Sequence, residues 1–300
     1  MKRVINFLKL RYVAFVFSAV LFIVFVAGTI MRGGMNMGID FTGGVRIIAQ
    51  FSDDLNEKDI RDAFTAVGVT PQVQQIGDEK LNEFSISTKL SGGANESDKG
   101  LQEIKDILLQ KFPSVTFLSE ENIGPTIGDI LKRSAIKLFI IAMVFMSVYL
   151  AFRFELKYAF GAMVSIIHDT AMCAAFIGFT GTEVTIPVVA AVITVFGYSV
   201  NDTIVIFDRI RENMKSQSKQ TFVEIINKSI SLSMSRTLLT SLTTLFTVLS
   251  LFFLGGEVIH DFAKVLLFGI IIGTYSSIYL ASPMLVIWEN LRSKNKQRQA

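Results

Sequence analysis

Apolar residues in this chain are bunched into long runs rather than alternating. Runs near the ~20 residues that cross about 30 Å of hydrocarbon occupy 12–31, 135–152, 159–180, 185–207, 237–254 and 262–287. Their order is one run, a polar stretch of about a hundred residues, and then a cluster of five. The pattern predicts six membrane helices in a 1+5 arrangement, with a polar domain between the first and second.

Inside the polar stretch the periodicity changes. Segments 45–51, 72–76, 84–90 and 115–118 read as strands. Residues 56–67 carry Ile60, Ala63, Phe64 and Val67 at helical spacing, with Asp53 and Asp54 as cap candidates. Leu101, Ile104, Ile107, Leu108 and Phe112 line the face of a second helix. Gly92, Gly93, Ala94 and Asn95 read as the loop before it. The order βαββαβ predicts a ferredoxin-like α+β sandwich. The divisions expected are 1–34 (N-terminus and first helix), 35–125 (the α+β domain), 126–290 (five helices) and 291–300 (a basic tail).

Composition supports a membrane protein: 51% hydrophobic and 18% charged, against about 25% charged in soluble domains. The net charge of +3 matters less than where the charges lie. Lys2, Arg3, Lys9 and Arg11 precede the first run, and Arg153, Lys157, Arg209, Arg211, Lys215, Lys219 and Lys228 flank later ones. The tail adds Arg292, Lys294, Lys296 and Arg298. The loops near 178–184 and 255–261 have no Lys or Arg. By the positive-inside rule both termini are cytoplasmic and 35–125 faces outward. Lys132, Arg133 and Lys137 run against this pattern and are placed on an interfacial helix. The first run ends in Arg32-Gly33-Gly34 without a small-x-small cleavage site, so it reads as an uncleaved span.

The single Cys173 allows no intramolecular disulfide, and nothing in the spacing predicts a metal site. The polar domain has no histidine, no cysteine and no glycine-rich phosphate loop. Its acidic excess disfavours nucleic acid. The chain does not read as an enzyme, and no cofactor is expected.

The chemistry lies in the apolar runs. Asp202 sits about 15–17 residues into the fourth, where a carboxylate costs roughly 2.5–3.5 kcal/mol on insertion scales. A helix that keeps one uses it as an ion ligand, a proton carrier or half of a buried charge pair. Its neighbours Tyr198, Ser199 and Asn201 can line or relay. Arg236 opens the fifth run, above a stripe of Thr240, Thr243, Thr244 and Thr247 that should face protein or water. Arg236 beside Asp202 would stabilise the carboxylate, so ion uptake would require the two to part. His168 and Asp169, mid-way along the third run, are relay candidates; one helix step turns them about 100° apart, so they need not touch. Gly269 and Gly273 permit a close helix contact.

Four segments carry a resemblance: Gly38-Ile39-Asp40-Phe41-Thr42-Gly43-Gly44, the tract from Gly197-Tyr198-Ser199-Val200-Asn201-Asp202-Thr203 into Phe207-Asp208-Arg209-Ile210-Arg211-Glu212-Asn213, Arg236-Thr237-Leu238-Leu239-Thr240-Ser241, and Gly273-Thr274-Tyr275-Ser276-Ser277-Ile278-Tyr279. Together they resemble the SecF family, the smaller membrane subunits of bacterial SecDF export complexes, within the resistance–nodulation–division superfamily. The likeness covers nearly the whole chain. It marks Gly38, Asp40, Gly43 and Gly44 as a family motif, and it implies that Asp202 and Arg236 are needed for ion coupling. It also implies pairing with SecD, association with SecYEG and often YajC, and action on a translocating preprotein. The energy source would be a proton gradient, or sodium in some members, across the bacterial cytoplasmic (inner) membrane. The competing expectation is half of a proton-driven exporter of lipids or small molecules from the same superfamily.

Overall fold

A computed structural model of the chain describes residues 5–65, 71–76, 81–88, 94–216 and 220–299. Six of its helical stretches are long and apolar enough to cross a membrane: Phe7–Met31, Pro125–Arg153, Leu156–Thr180, Ile186–Ser216, Phe222–Leu254 and Ile259–Ser293. The first is a 3₁₀ turn, Phe7–Leu10, running into α1 (Arg11–Met31). A short α2 (Ile39–Thr42) leads to β1 (Gly44–Gln50). Then come α3 (Glu57–Thr65), β2 (Gln72–Ile76), β3 (Glu83–Thr88), α4 (Ala94–Lys111) and β4 (Thr116–Ile123). The bundle follows as α5 (Pro125–Arg153), α6 (Leu156–Thr180), α7 (Ile186–Ser216), α8 (Phe222–Leu254) and α9 (Glu257–Ser276). A π turn, Ser277–Ala281, joins α9 to α10 (Ser282–Gln299).

The four strands form one antiparallel sheet in the order β2-β3-β1-β4. That order with βαββαβ succession is the ferredoxin-like arrangement. Alternation decides the faces: Val45, Ile47 and Ala49 of β1 and Phe84 and Ile86 of β3 point into a core closed by Ile60 and Phe64 of α3 and Ile104 and Leu108 of α4. The other face, with Arg46 and Ile48, overhangs the loops of the helix bundle.

Several local expectations shift. Asn56, not Asp53 or Asp54, caps α3, accepting from the backbone N–H groups of Lys58 and Asp59; the helix starts at Glu57, later than either aspartate would require. Ala94 and Asn95 belong to α4 rather than to a loop, while Gly92, Gly93 and Val67 lie outside the described residues. Lys132, Arg133 and Lys137 sit on α5 itself, because Pro125 at its first turn starts the helix ten residues before the apolar run. Likewise α7 continues past its apolar run to Ser216, and a reciprocal Thr221–Glu224 capping box starts α8 well before its own.

Inside the bundle, α7 and α9 approach most intimately. A Cβ on Gly269 would lie 2.2 Å from Val195 Cγ2, and one on Gly273 3.1 Å from Ser199 Cβ. The two glycines therefore bring α9 against the helix that carries Asp202. The apolar windows of the first span, α5 and α8 are only 17%, 6% and 17% buried, against 67% for the last span, so those three lie on the outside of the chain.

Candidate functional site

The α7–α9 contact places Asp202, the seventeenth residue of the 31-residue α7, in the interior with 1% of its surface exposed. Its partners are two hydroxyls from other helices. Ser241 Oγ of α8 lies 3.4 Å and Thr274 Oγ1 of α9 3.5 Å from Oδ2, and the two hydroxyls are 2.9 Å from each other. These are long contacts for a carboxylate, which usually accepts hydroxyls at about 2.5–2.7 Å. Thr237 Oγ1, one turn before Ser241 on the same face, and Tyr198 Oη, one turn before Asp202, are buried without a hydrogen-bond partner among the described residues.

Arg236 does not pair with Asp202. It lies on the exposed side of α8, with no ion pair to the carboxylate. Thr237 and Ser241 take the inward face, and one residue of helix turns Arg236 about 100° away from it. The threonine stripe follows the arginine. Thr243 and Thr247 are exposed and Thr240 and Thr244 half-buried, and each hydroxyl donates to a backbone carbonyl of its own helix. Asn201 also points away, into a shallow groove between α5 and α7 lined by Phe145, Met146 and Tyr149.

A second carboxylate is held far more tightly. Asp169 of α6 is 1% exposed. Its Oδ2 accepts from Ser199 Oγ of α7 at 2.5 Å and from Ser276 Oγ of α9 at 2.7 Å. Its Oδ1 is 2.8 Å from Nδ1 of His168. The helical phase left contact between these two neighbours open, and here their side chains touch. Ser165 Oγ donates to Ser276 Oγ at 2.9 Å. Ser199 therefore serves Asp169, not Asp202. The adjoining Ser277 Oγ accepts from Thr203 Oγ1 at 3.1 Å and donates to the Gly273 carbonyl at 2.8 Å.

The glycine motif shapes the end of the bundle nearest the sheet. Gly38 N–H donates to the Val184 carbonyl, and Asp40 Oδ2 accepts from the Ile186 N–H, capping the first turn of α7. Gly43 has φ +72°, and a Cβ there would lie 2.7 Å from Pro125 Cα; at Gly44, φ +147°, it would lie 2.3 Å from the Thr88 carbonyl. From β1, Arg46 pairs with Glu183 of the α6–α7 loop at 2.7 Å and with Glu121 at 3.2 Å. Burial pushes the Glu183 carboxyl above the usual range, and the Arg46 charge opposes this without cancelling it. Burial works against the Arg46 charge too, but Glu183 and Glu121 outweigh it and hold its pKa above the ordinary value. These residues, with Asp40, His260 and Asp261, border a cavity of about 650 Å³ between sheet and bundle.

The partners Ser165, Ser241, Thr274, Ser276 and Ser277 were not singled out from the sequence as site residues. For all but Ser165, small hydroxyls within two family segments were the available signal; which carboxylate each serves depends on how the helices pack. Arg46, Glu183 and His260 gave no signal, since an ordinary strand arginine, a loop glutamate and a residue in the first turn of α9 meet only in three dimensions.

Comparison with known proteins places this geometry. Residues 103–291 match the family described as protein export membrane protein SecD/SecF, C-terminal, and residues 33–54 match the SecD/SecF GG motif. The SecF translocase subunit of Endomicrobium trichonymphae is 40% identical over 288 residues, covering 95% of this chain and 91% of that protein. The SecDF subunit of Thermus thermophilus is 35% identical over 91% of this chain, which spans only 37% of that longer protein. The crystal structure of Thermus SecDF superposes with a TM-score of 0.85 at 33% identity, covering 96% of this chain and 39% of that one. A SecDF structure in a super-membrane-facing form gives 0.70 at 32% identity. Family match, near-equal length with the SecF subunits and the shared fold agree: the chain belongs to the SecF branch of the SecD/SecF family of protein-export membrane proteins.

Proposed function

We propose that the chain acts with SecD as an ion-motive-force-coupled accessory subunit that promotes preprotein export through SecYEG, with YajC as a further associate. On this reading it is a multi-pass protein of the bacterial inner membrane. Both termini are cytoplasmic and the sheet domain is outside. The relatives' names favour protein export over the small-molecule exporter, and the SecDF chain that holds both halves favours SecD as partner.

The observation that carries the ion-coupling part is Asp202. It lies at the centre of a long helix, enclosed against α8 and α9, with two long hydroxyl contacts and no close ion pair among the described residues. A carboxylate so weakly satisfied stores free energy that an arriving proton or sodium ion can release. Arg236 supplies a second state. Turning α8 by about one residue, ~100°, would exchange Thr237 for Arg236 at the inward face and give the ionised carboxylate its counter-charge. Each charge that crosses 100 mV gains about 2.3 kcal/mol, so several ions per cycle could drive a domain motion.

The test is Asp202→Asn in inverted membrane vesicles containing SecD, SecYEG and the SecA ATPase. Export should lose its stimulation by a proton or sodium gradient, while the variant still co-purifies with SecD. Stimulation equal to the parent's would refute the assignment.

A further inference from the structure

Asp169 is surrounded by donors. Ser199 and Ser276 share Oδ2 and the imidazole takes Oδ1, so three hydrogen bonds from α7, α9 and α6 converge on one carboxylate. Such a set suits an anion. A proton placed on Oδ2 would displace one of the two serine donors, since both of that oxygen's lone pairs are taken, and one placed on Oδ1 would share that oxygen with the imidazole. The imidazole offers the alternative. With Nδ1–H directed at Asp169, the lone pair lies on Nε2, which is buried and has no hydrogen-bond partner among the described residues.

The π turn adds a second observation. Ser276, which Asp169 holds, is the last residue of α9 before the helix widens at Ser277–Ala281. Single π turns inside α-helices recur at functional sites. Here the widened turn lets two consecutive serines serve two helices: Ser276 reaches α6, and Ser277 reaches α7 through Thr203 and the Ser199 carbonyl. Thr274, two residues earlier, is the α9 partner of Asp202. Both carboxylates therefore grip one stretch of α9, with no continuous side-chain chain of hydrogen bonds joining them among the described residues.

We propose that His168 and Asp169 form a second proton-accepting site, in which the proton is taken on Nε2 of His168 while the Asp169 carboxylate keeps Ser199 and Ser276 in place. Uptake changes the pair from one negative charge to none and breaks no bond to α7 or α9. The pair would thus act beside Asp202, one site adjusting charge at the head of the π turn and the other at Thr274. Ionisable groups on the packed elements include Cys173 on α6, Tyr198 and Asp202 on α7, Tyr275 on α9 and Tyr279 on the π turn. Helix α1 has none between Val13 and Met31, and α5 none between Leu138 and Val148. A role in export rests on the ion-coupling reading above; the proton site itself does not.

The chain has two histidines, which makes the test direct. The full chain carrying His260→Gln is labelled with ¹⁵N-histidine, and its one remaining imidazole is followed by NMR between pH 5 and 9 in detergent. Nδ1 should stay protonated throughout while Nε2 changes from lone pair to N–H. Asp169→Asn should move that midpoint by at least one pH unit. Ser276→Ala, which removes one donor and little volume, should move it too if Asp169→Asn does not fold. An Nε2 that is fixed in one state over the whole range overturns the proposal, as does the reverse tautomer or a midpoint indifferent to both variants. The titration should persist in Asp202→Asn. If Nε2 titrates but Asp202→Asn leaves export stimulation intact, the coupling reading falls and the second proton site stands.

Discussion

Gly44 shows how much one residue of the glycine motif controls. Its φ of +147° is a conformation that residues with a Cβ rarely adopt, and the added carbon would press on the Thr88 carbonyl of the neighbouring strand. Neither obstacle can yield, since both are backbone. Gly44→Ala is expected to destabilise the protein by about 2 kcal/mol or more, within the range for forced backbone strain plus a clash. Gly124→Ala is the control: its φ is −63° and nothing lies within 4 Å of the added Cβ, so its melting temperature in detergent should stay near the parent's. Equal melting temperatures for the two variants would remove the argument. At this scale the sequence was informative about identity and silent about partners. Asp202 and the paired glycines stood out because carboxylates in apolar runs and adjacent glycines are costly. That Ser199 turns to Asp169 rather than to Asp202, three residues along its own helix, is settled by the neighbouring helix.

Elements were legible wherever one periodicity dominated. The six spans and the βαββαβ order followed from run length and alternation, and β2 was placed at its observed limits. Helix ends were harder, because α5, α7 and α8 all extend through polar residues beyond their apolar runs; Pro125 starts α5 and a capping box starts α8. The joint between sheet and bundle left no pattern at all, since Arg46 and Glu183 are 137 residues apart. That joint has a pH signature. Burial raises the Glu183 carboxyl above its ordinary value, so the fold favours its protonated form. The resulting stabilisation is fully present below the ordinary glutamate value and is lost as pH rises through the raised one. Glu183→Gln removes this dependence. Compared with the parent, the variant should therefore gain Tm as pH rises from about 4 through that window. Arg46 keeps Glu121 as a partner meanwhile, which limits the damage to the pair. Thermal unfolding at a series of pH values measures the difference directly; a Tm gap that does not change with pH would contradict the assignment.

At the scale of the whole molecule, the chain leaves one charged stripe uncovered. Arg236, Thr240, Thr243, Thr247 and Ser250 recur at helical spacing along α8, and apart from the half-buried Thr240 all are exposed. The hydroxyls donate to their own helix, so they could lie against lipid at small cost. The guanidinium of Arg236 has no such hydrogen bond among the described residues, and a charge on an apolar helix is expected to face protein or water. The sequence pointed to Arg236, Thr240, Thr243, Thr244 and Thr247 as protein- or water-facing; the fold adds that none of the described residues of this chain covers the outer part of that stripe. The proposed SecD partner is the natural cover, since the two halves are one polypeptide in the Thermus relative. α1 makes the contrast: its outward residues, Val16, Val20 and Ile23 among them, are apolar and suit lipid. Single cysteines at Thr243 and Thr247, co-expressed with SecD carrying a cysteine in the span opposite, should form intermolecular cross-links in membranes. A cysteine at Ile23 should form none. The native Cys173 is buried and can remain in place. The cross-link at Thr243 should also respond to Asp202→Asn, because the turn of α8 that would bring Arg236 inward carries Thr243 with it. A yield unaffected by that substitution would detach the outer face of α8 from the buried carboxylate, and with it the rotation proposed to couple them.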